Sequence, residues 1–279
     1  MDNSIAIIGR TNRILREPEA ALVAANIPYY LVGKSGFWNA EEVRGAVSYL
    51  NACLYPANHV ISGMLRTGFH PTKFLPRQKL AARFKELKAD DDKVSFWNLL
   101  TKEPRSLVDP RNLDAVQNFV SFVHGLSRYR DQTPDVALKQ ILGLLKVGDY
   151  YSDDEPDNSP LENLSDLVKL AQKHRTVKEF IDYCRRATAA GKTKRGVAVG
   201  TCHSVKGLEF NTVYFIGVSE GILPHAKSTD LESERCVYFV GCSRAERKLV
   251  ISYTGQPSAF LKETNATNRV ENNSDLRPL

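Results

Sequence analysis

Between residues 197 and 253 the chain gathers side chains that can bind anions and exchange hydrogen bonds at close spacing. Thr201, His203, Lys206, Gly207 and Glu209 fall in one run, GTCHSVKGLEF, and Arg244 in a second, ERCVYFVGCSRAERKLVISY. A hydroxyl, an imidazole and an ammonium suit phosphate oxygens, the first two by positioning them and the last by salt-dependent attraction. Glu209 suits hydroxyl donors. Gly207 allows a backbone conformation or close approach that other residues resist, and Arg244 is a permanently charged donor that suits an anion. Each has an ordinary alternative: a loop histidine, a loop acid, or an arginine paired with Glu246 or with a helix C-terminus. A second polar cluster, Arg10, Thr11 and Asn12, reads as phosphate contacts or as a simple polar turn.

These residues need strands and helices to hold them. Residues 197–201, 212–218 and 249–253 are short β-branched runs that read as buried parallel strands, with a helix between the last two that delivers Arg244 at its far end. Ligands in such sheets bind beyond the carboxyl ends of strands, so the loop holding His203 and Glu209 is expected there. Upstream, IAIIG reads as a strand, residues 14–25 as a helix, 29–32 as a strand and about 40–54 as a helix, giving the order βαβα. Strand patterns then stop, and helical spacing, broken by Pro- and Asp-rich stretches, runs to about residue 189. The expected architecture is an α/β parallel-sheet domain built from residues 1–54 and 194–262. A helical subdomain at 55–193 interrupts it, and a flexible polar tail spans 263–279.

With 279 residues, 42% of them hydrophobic, the chain can build a sizeable core, and its net charge of +6 gives weak support for an anionic partner. The 5 cysteines contain no CxxC pair, which fits reduced thiols and argues against a zinc ribbon or finger, so no metal site is expected. Nothing resembles a signal peptide or a membrane-spanning run, so a cytoplasmic protein without a membrane partner is expected. Gly191-Lys192-Thr193 imitates the end of a phosphate loop, but Arg186 stands where that loop needs its first glycine. Phe37 and Trp38 could stack on bases, with core packing the stronger expectation for at least one of them. Arg235 is expected to make a structural ion pair.

GTCHSVKGLEF resembles motif V of the UvrD/Rep/PcrA-type superfamily 1 DNA helicases, and VSEGILPH resembles its continuation. ESERCVYFVGCSRAERKLVIS resembles motif VI, and AIIGRTN with NIPYYLVG resembles motif IVa. The resemblance covers the C-terminal half of such helicases and implies a RecA-like fold with a helical insert. It implies ATP-driven 3'-5' translocation on DNA, with Arg244 as an arginine finger at the γ-phosphate and Glu209 beside the ribose, Gly207 allowing the approach. Arg10, Thr11, Asn12, Thr201, His203 and Lys206 would face single-stranded DNA. ATP with Mg2+ would be held mainly by an N-terminal RecA-like domain, in cis or in trans, whose phosphate loop and acidic pair do not occur in this chain. Single-stranded and junction DNA are the implied partners. The family's duplex-contacting glycine turn is replaced by Thr67-Gly68-Phe69-His70-Pro71. A module that keeps the fold and binds DNA without a motor is the rival expectation.

Overall fold

The computed structural model describes residues 5–33, 37–91, 93–151, 159–190 and 195–264. The phosphate-loop imitation at 191–193 and nearly all of the polar tail lie outside them. The chain divides into two compact units, residues 1–34 with 191–279 and residues 35–190.

The first unit is an α/β layer structure. Strands β1 (Ile5–Gly9), β2 (Tyr29–Leu31), β3 (Val197–Thr201), β4 (Phe210–Phe215) and β5 (Ala245–Ile251) form one sheet in the order β2-β3-β1-β4-β5. Every pairing is parallel. Helix α1 (Asn12–Ala24) packs on β1 and β3. A Cβ on Gly9 would run into Ile14 and Leu15 of that helix, so the missing side chain sets how closely α1 lies on the sheet. The opposite face carries the main core, where Ala6, Ile8, Ala198, Val213 and Phe215 meet Cys202, Val205, Val237, Tyr238 and Phe260.

The second unit is helical: α2 (Glu41–Ala52), α3 (Asn58–Met64), α4 (Arg77–Asp90), α5 (Phe96–Lys102), α6 (Leu113–Gly125), α7 (Pro134–Leu144), α8 (Val147–Tyr150), α9 (Pro160–Ala171) and α10 (Val177–Ala190). Helix α2 is its centre. Val43, Ala46, Tyr49 and Leu50 are buried, and α2 packs on α3, α7, α9 and α10. That packing groups α2 with the helical unit, twenty residues before the change of character in the sequence at residue 54. Phe37 and Trp38 are both buried and meet edge to face with centroids 4.9 Å apart, so both serve this core. Asn163 of α9 donates to the buried carboxylate of Glu42.

The turn at Thr67-Gly68-Phe69-His70-Pro71 faces inward. Thr67 and Phe69 are buried, and Thr72 Oγ1 lies 2.9 and 2.6 Å from the carbonyl oxygens of Thr67 and Phe69 while accepting from the Tyr49 hydroxyl.

Helix α11 (Leu231–Cys242) returns to the first unit, and the short α12 (Ala259–Glu263) closes its described part. Asp230 caps α11, its carboxylate accepting from the N–H groups of Glu232 and Ser233, and Glu232 and Glu234 complement the positive end of the helix dipole.

Candidate functional site: two edges of one sheet

At the carboxyl edge, β1 and β3 run side by side with Gly9 opposite Thr201, so the residues that follow each strand emerge next to one another. Cys202 N–H donates to Gly9 O at 3.0 Å, which links the two exits. Thr201 turns the chain: its Oγ1 accepts from Ser204 N at 3.3 Å, and its carbonyl accepts from Ser204 Oγ at 2.9 Å and from Val205 N at 3.1 Å. Cys202 and Val205 are buried in the core, which leaves His203 and Lys206 exposed. Thr11 is the N-cap of α1 without a side-chain cap bond, and Asn12, expected in a loop, is the exposed first residue of that helix.

Arg10 is held by a group that sequence reasoning did not single out. Its Nε and Nη2 donate to the two carboxylate oxygens of Glu234 at 3.0 and 2.7 Å, and the same carboxylate accepts the His225 N–H at 3.0 Å. The Arg10 hydrogen bonds hold the Glu234 carboxyl below the usual carboxylate range against the opposing effect of burial. The only local signal was an acid in the first turn of α11, because Arg10 and Glu234 are 224 positions apart.

Residues 202–209 run from the carboxyl end of β3 to the amino end of β4, since the strands are parallel and β4 begins at Phe210. Gly207 and Glu209, expected at the carboxyl edge, therefore lie at the amino edge, as does Arg244 directly ahead of β5. Both strands begin earlier than their β-branched runs, at Phe210 rather than 212 and at Ala245 rather than 249. The ladder starts where Phe210 N–H donates to Arg244 O at 2.9 Å. Gly207 adopts a φ of 85°, the left-handed region that favours glycine. Arg244 donates from Nε to Val240 O at 3.0 Å, from Nη1 to Leu208 O at 2.8 Å and from Nη2 to Ser243 Oγ at 2.9 Å. It binds backbone carbonyls and a hydroxyl here, and the Leu208 and Ser243 contacts were not foreseen. Arg235 pairs with Glu232 and Glu263 and lies over the Phe260 ring, a structural role as expected.

The candidate residues thus form two groups about one strand length apart, roughly 15–20 Å. Arg10, Thr11, Asn12, Thr201 and His203 stand at the carboxyl edge, Gly207, Glu209 and Arg244 at the amino edge, and Lys206 on the loop between. Among the described residues no three or more His, Cys, Asp or Glu converge as a metal site, and no helix is long and apolar enough to cross a membrane.

The profile of the UvrD-like helicase C-terminal domain matches residues 77–256. The chain is 27% identical over 279 residues to the ATP-dependent DNA helicase Srs2 of Schizosaccharomyces pombe, covering 90% of this chain and 31% of the relative. It is 27% identical over 309 residues to the ATP-dependent DNA helicase UvrD1 of Mycobacterium tuberculosis, and 26% identical over 300 residues to the ATP-dependent DNA helicase PcrA of Staphylococcus epidermidis. In both cases 94% of this chain and 39% of the relative are covered, so the chain spans between about a third and two fifths of the relatives it matches.

Proposed function

The chain belongs to the UvrD-like helicase C-terminal domain family, and from that membership we propose that it is the C-terminal motor half of an ATP-dependent 3'-5' DNA helicase or translocase. The observation that carries this reading is the division of the candidate residues between two edges of one sheet, joined by residues 202–209. A motor must couple a nucleotide to a strand, and a single pinned connection between two binding edges suits that task. In this reading the sheet unit, residues 1–34 with 191–279, makes the RecA-like motor domain, and residues 35–190, α2 among them, make the helical insert.

Arg244 is assigned to the γ-phosphate and Glu209 to the ribose, with Gly207 allowing close approach. Arg10, Thr11, Asn12, Thr201, His203 and Lys206 are assigned to single-stranded DNA. Glu209 is exposed and Arg244 half-buried, which suits one wall of a nucleotide site. ATP with Mg2+ would supply the phosphoryl group whose hydrolysis drives the motor. The residues of this chain orient that group and offset its charge, while a phosphate loop and an acidic pair must come from an N-terminal RecA-like domain. Arg244 must leave Leu208 O or use its remaining N–H groups to do so.

The isolated chain is expected to hydrolyse ATP negligibly. Supplying an N-terminal helicase half in trans is expected to produce DNA-stimulated hydrolysis that Arg244→Ala abolishes. The inward bonding of Arg244 favours a second reading, a DNA-binding module without a motor. DNA binding that persists while no N-terminal half ever restores hydrolysis would establish that reading and reject the first.

A further inference from the structure

In the helical unit, the turn at residues 67–71 is closed while the side chains around it are open. Gly68 is buried, and a Cβ on it would lie 2.6 Å from Tyr150 Cε2, so the Tyr150 ring sits over the glycine. Thr67 and Phe69 on either side are fully buried. A glycine turn holds a duplex by presenting backbone N–H groups to phosphates, and here the glycine lies under a ring. What the segment exposes instead is aromatic: Phe74 is 59% exposed and Tyr150 47%. Both rings are held from behind. Tyr150 meets Phe69 edge to face at 5.5 Å and Tyr151 at 4.9 Å, and His70 meets Phe74 at 5.5 Å. His70 N–H donates to Leu145 O at 3.2 Å, which fastens the turn to the end of α7. Positive charge collects around these rings. Residues 66–79 hold Arg66, Lys73, Arg77 and Lys79 with no acid, and residues 144–151 add Lys146 against Asp149. Lys73 Nζ stands 5.0 Å from the centre of the Phe74 ring. Burial first, then the charges of Lys146 and Lys73, lower the His70 pKa, so both ammonium groups act on one imidazole.

We propose that Phe74 and Tyr150, with Lys73 and Lys146 beside them, form a stacking site for the unpaired bases of single-stranded DNA, in addition to the strand-binding residues assigned on the sheet. The two kinds of side chain select the ligand together. Exposed rings gain by stacking on flat faces, and lysines gain from a chain of phosphates; a single strand offers both at once. A duplex keeps its base faces inside the stack and presents phosphates alone, so it would satisfy the lysines and leave the rings unused. An acidic peptide would satisfy the charge and provide no flat surface of matching size. Because every base has a π-face, the site reads no sequence.

The test needs neither ATP nor an N-terminal half. The full chain would be mixed with a short oligothymidylate carrying iododeoxyuridine and irradiated, and the adducts located by mass spectrometry. Adducts on Phe74 or Tyr150 are the expected result, suppressed by excess unlabelled single strand and not by blunt duplex. Phe74→Ala is expected to lower the adduct yield at Tyr150 at least about fivefold, the low end of what one stacked base contributes, and Phe74→Trp to retain it. Tyr55→Ala is the control, since Tyr55 is 46% exposed in the same unit but lies outside both segments, and it is expected to change the yield less than about twofold. Phe74 and Tyr55 are both exposed, and circular dichroism would check that each variant folds. Suppression by duplex as strong as by single strand, or a yield untouched by Phe74→Ala, would overturn the proposal. So would self-association lost in Phe74→Ala, which would make a second copy the occupant. Adducts confined to the sheet unit would overturn it and leave the helicase reading standing, whereas no adduct anywhere on the chain would reject both.

Discussion

Arg244 and Arg10 were singled out for the same chemistry, yet their surroundings differ. Arg244 donates to Val240 O, Leu208 O and Ser243 Oγ, neutral acceptors that give a few modest hydrogen bonds. Arg244→Ala is therefore expected to lower stability by only about 1 kcal/mol, while reducing hydrolysis by the reconstituted motor by roughly 10³-fold. Arg10 instead faces a nearly buried carboxylate. Glu234→Ala removes the two hydrogen bonds from Arg10 and the one from the His225 N–H, and is expected to cost roughly 3 kcal/mol in denaturant unfolding. Because the folded carboxyl of Glu234 titrates below its unfolded value, its contribution is present above the unfolded range. It is lost as pH falls through the depressed folded value.

Glu19 on α1 works in the other direction. Burial raises its carboxyl to about 7, with Arg16 and the Tyr29 hydroxyl opposing the shift. The folded state then keeps a proton that the unfolded state has released, so stability falls as pH rises from about 4.5 to about 7. Glu19→Gln is expected to remove that slope and to raise stability at pH 8 by on the order of 3 kcal/mol, measured by chemical unfolding at several pH values. Neither carboxylate could be identified from the sequence. Residue type told what each side chain can do, but Glu234 meets Arg10 only through the fold, and Glu19 reads as an ordinary acid on an amphipathic helix.

The elements themselves were more legible than their ends. Apolar and β-branched runs marked the five strands and helical spacing marked α1, while α11 was expected from its place between the last two strands. The starts of β4 and β5 were missed because Phe210 and Ala245 join the ladder through backbone bonds, which leave no trace in side-chain type. Those few residues changed which edge of the sheet holds Glu209 and Arg244. Helix α2 was assigned by proximity in sequence to the first two strands, whereas its buried face belongs to α7, α9 and α10. Close packing at this scale also yields a test. A Cβ on Gly241 of α11 would meet the Phe215 ring of β4, so Gly241→Ala is expected to force α11 outward. It should lower thermal stability by about 1–3 kcal/mol, in contrast to the gain usual for Gly→Ala within a helix.

At the scale of the whole molecule, the sequence made the alternation of α/β and helical segments visible, since periodicity changes from strand runs to helical spacing and back. It did not show that Tyr214 of β4 would be exposed, because an exposed Tyr214 and a buried one have the same neighbours in sequence. Thiol chemistry offers a check on each unit. Cys53 and Cys184 are buried in the helical unit and Cys202 in the sheet unit, while Cys236 is exposed. Burial also raises the Cys53 and Cys202 thiols to about 12. A thiol reagent at pH 8 is expected to modify Cys236 first and to reach Cys53, Cys184 and Cys202 only as their own units unfold, read by mass spectrometry.

The eight-residue connection between β3 and β4 has a mechanical meaning. Buried at Cys202 and Val205 and tied to Arg244 through Leu208, it resembles a short rocker with its pivot in the core rather than a slack tether. In the proposed motor, softening that pivot, as Val205→Ala would, should leave grip on either ligand nearly intact. What should suffer is stall force: the load against which each consumed nucleotide still yields a forward step.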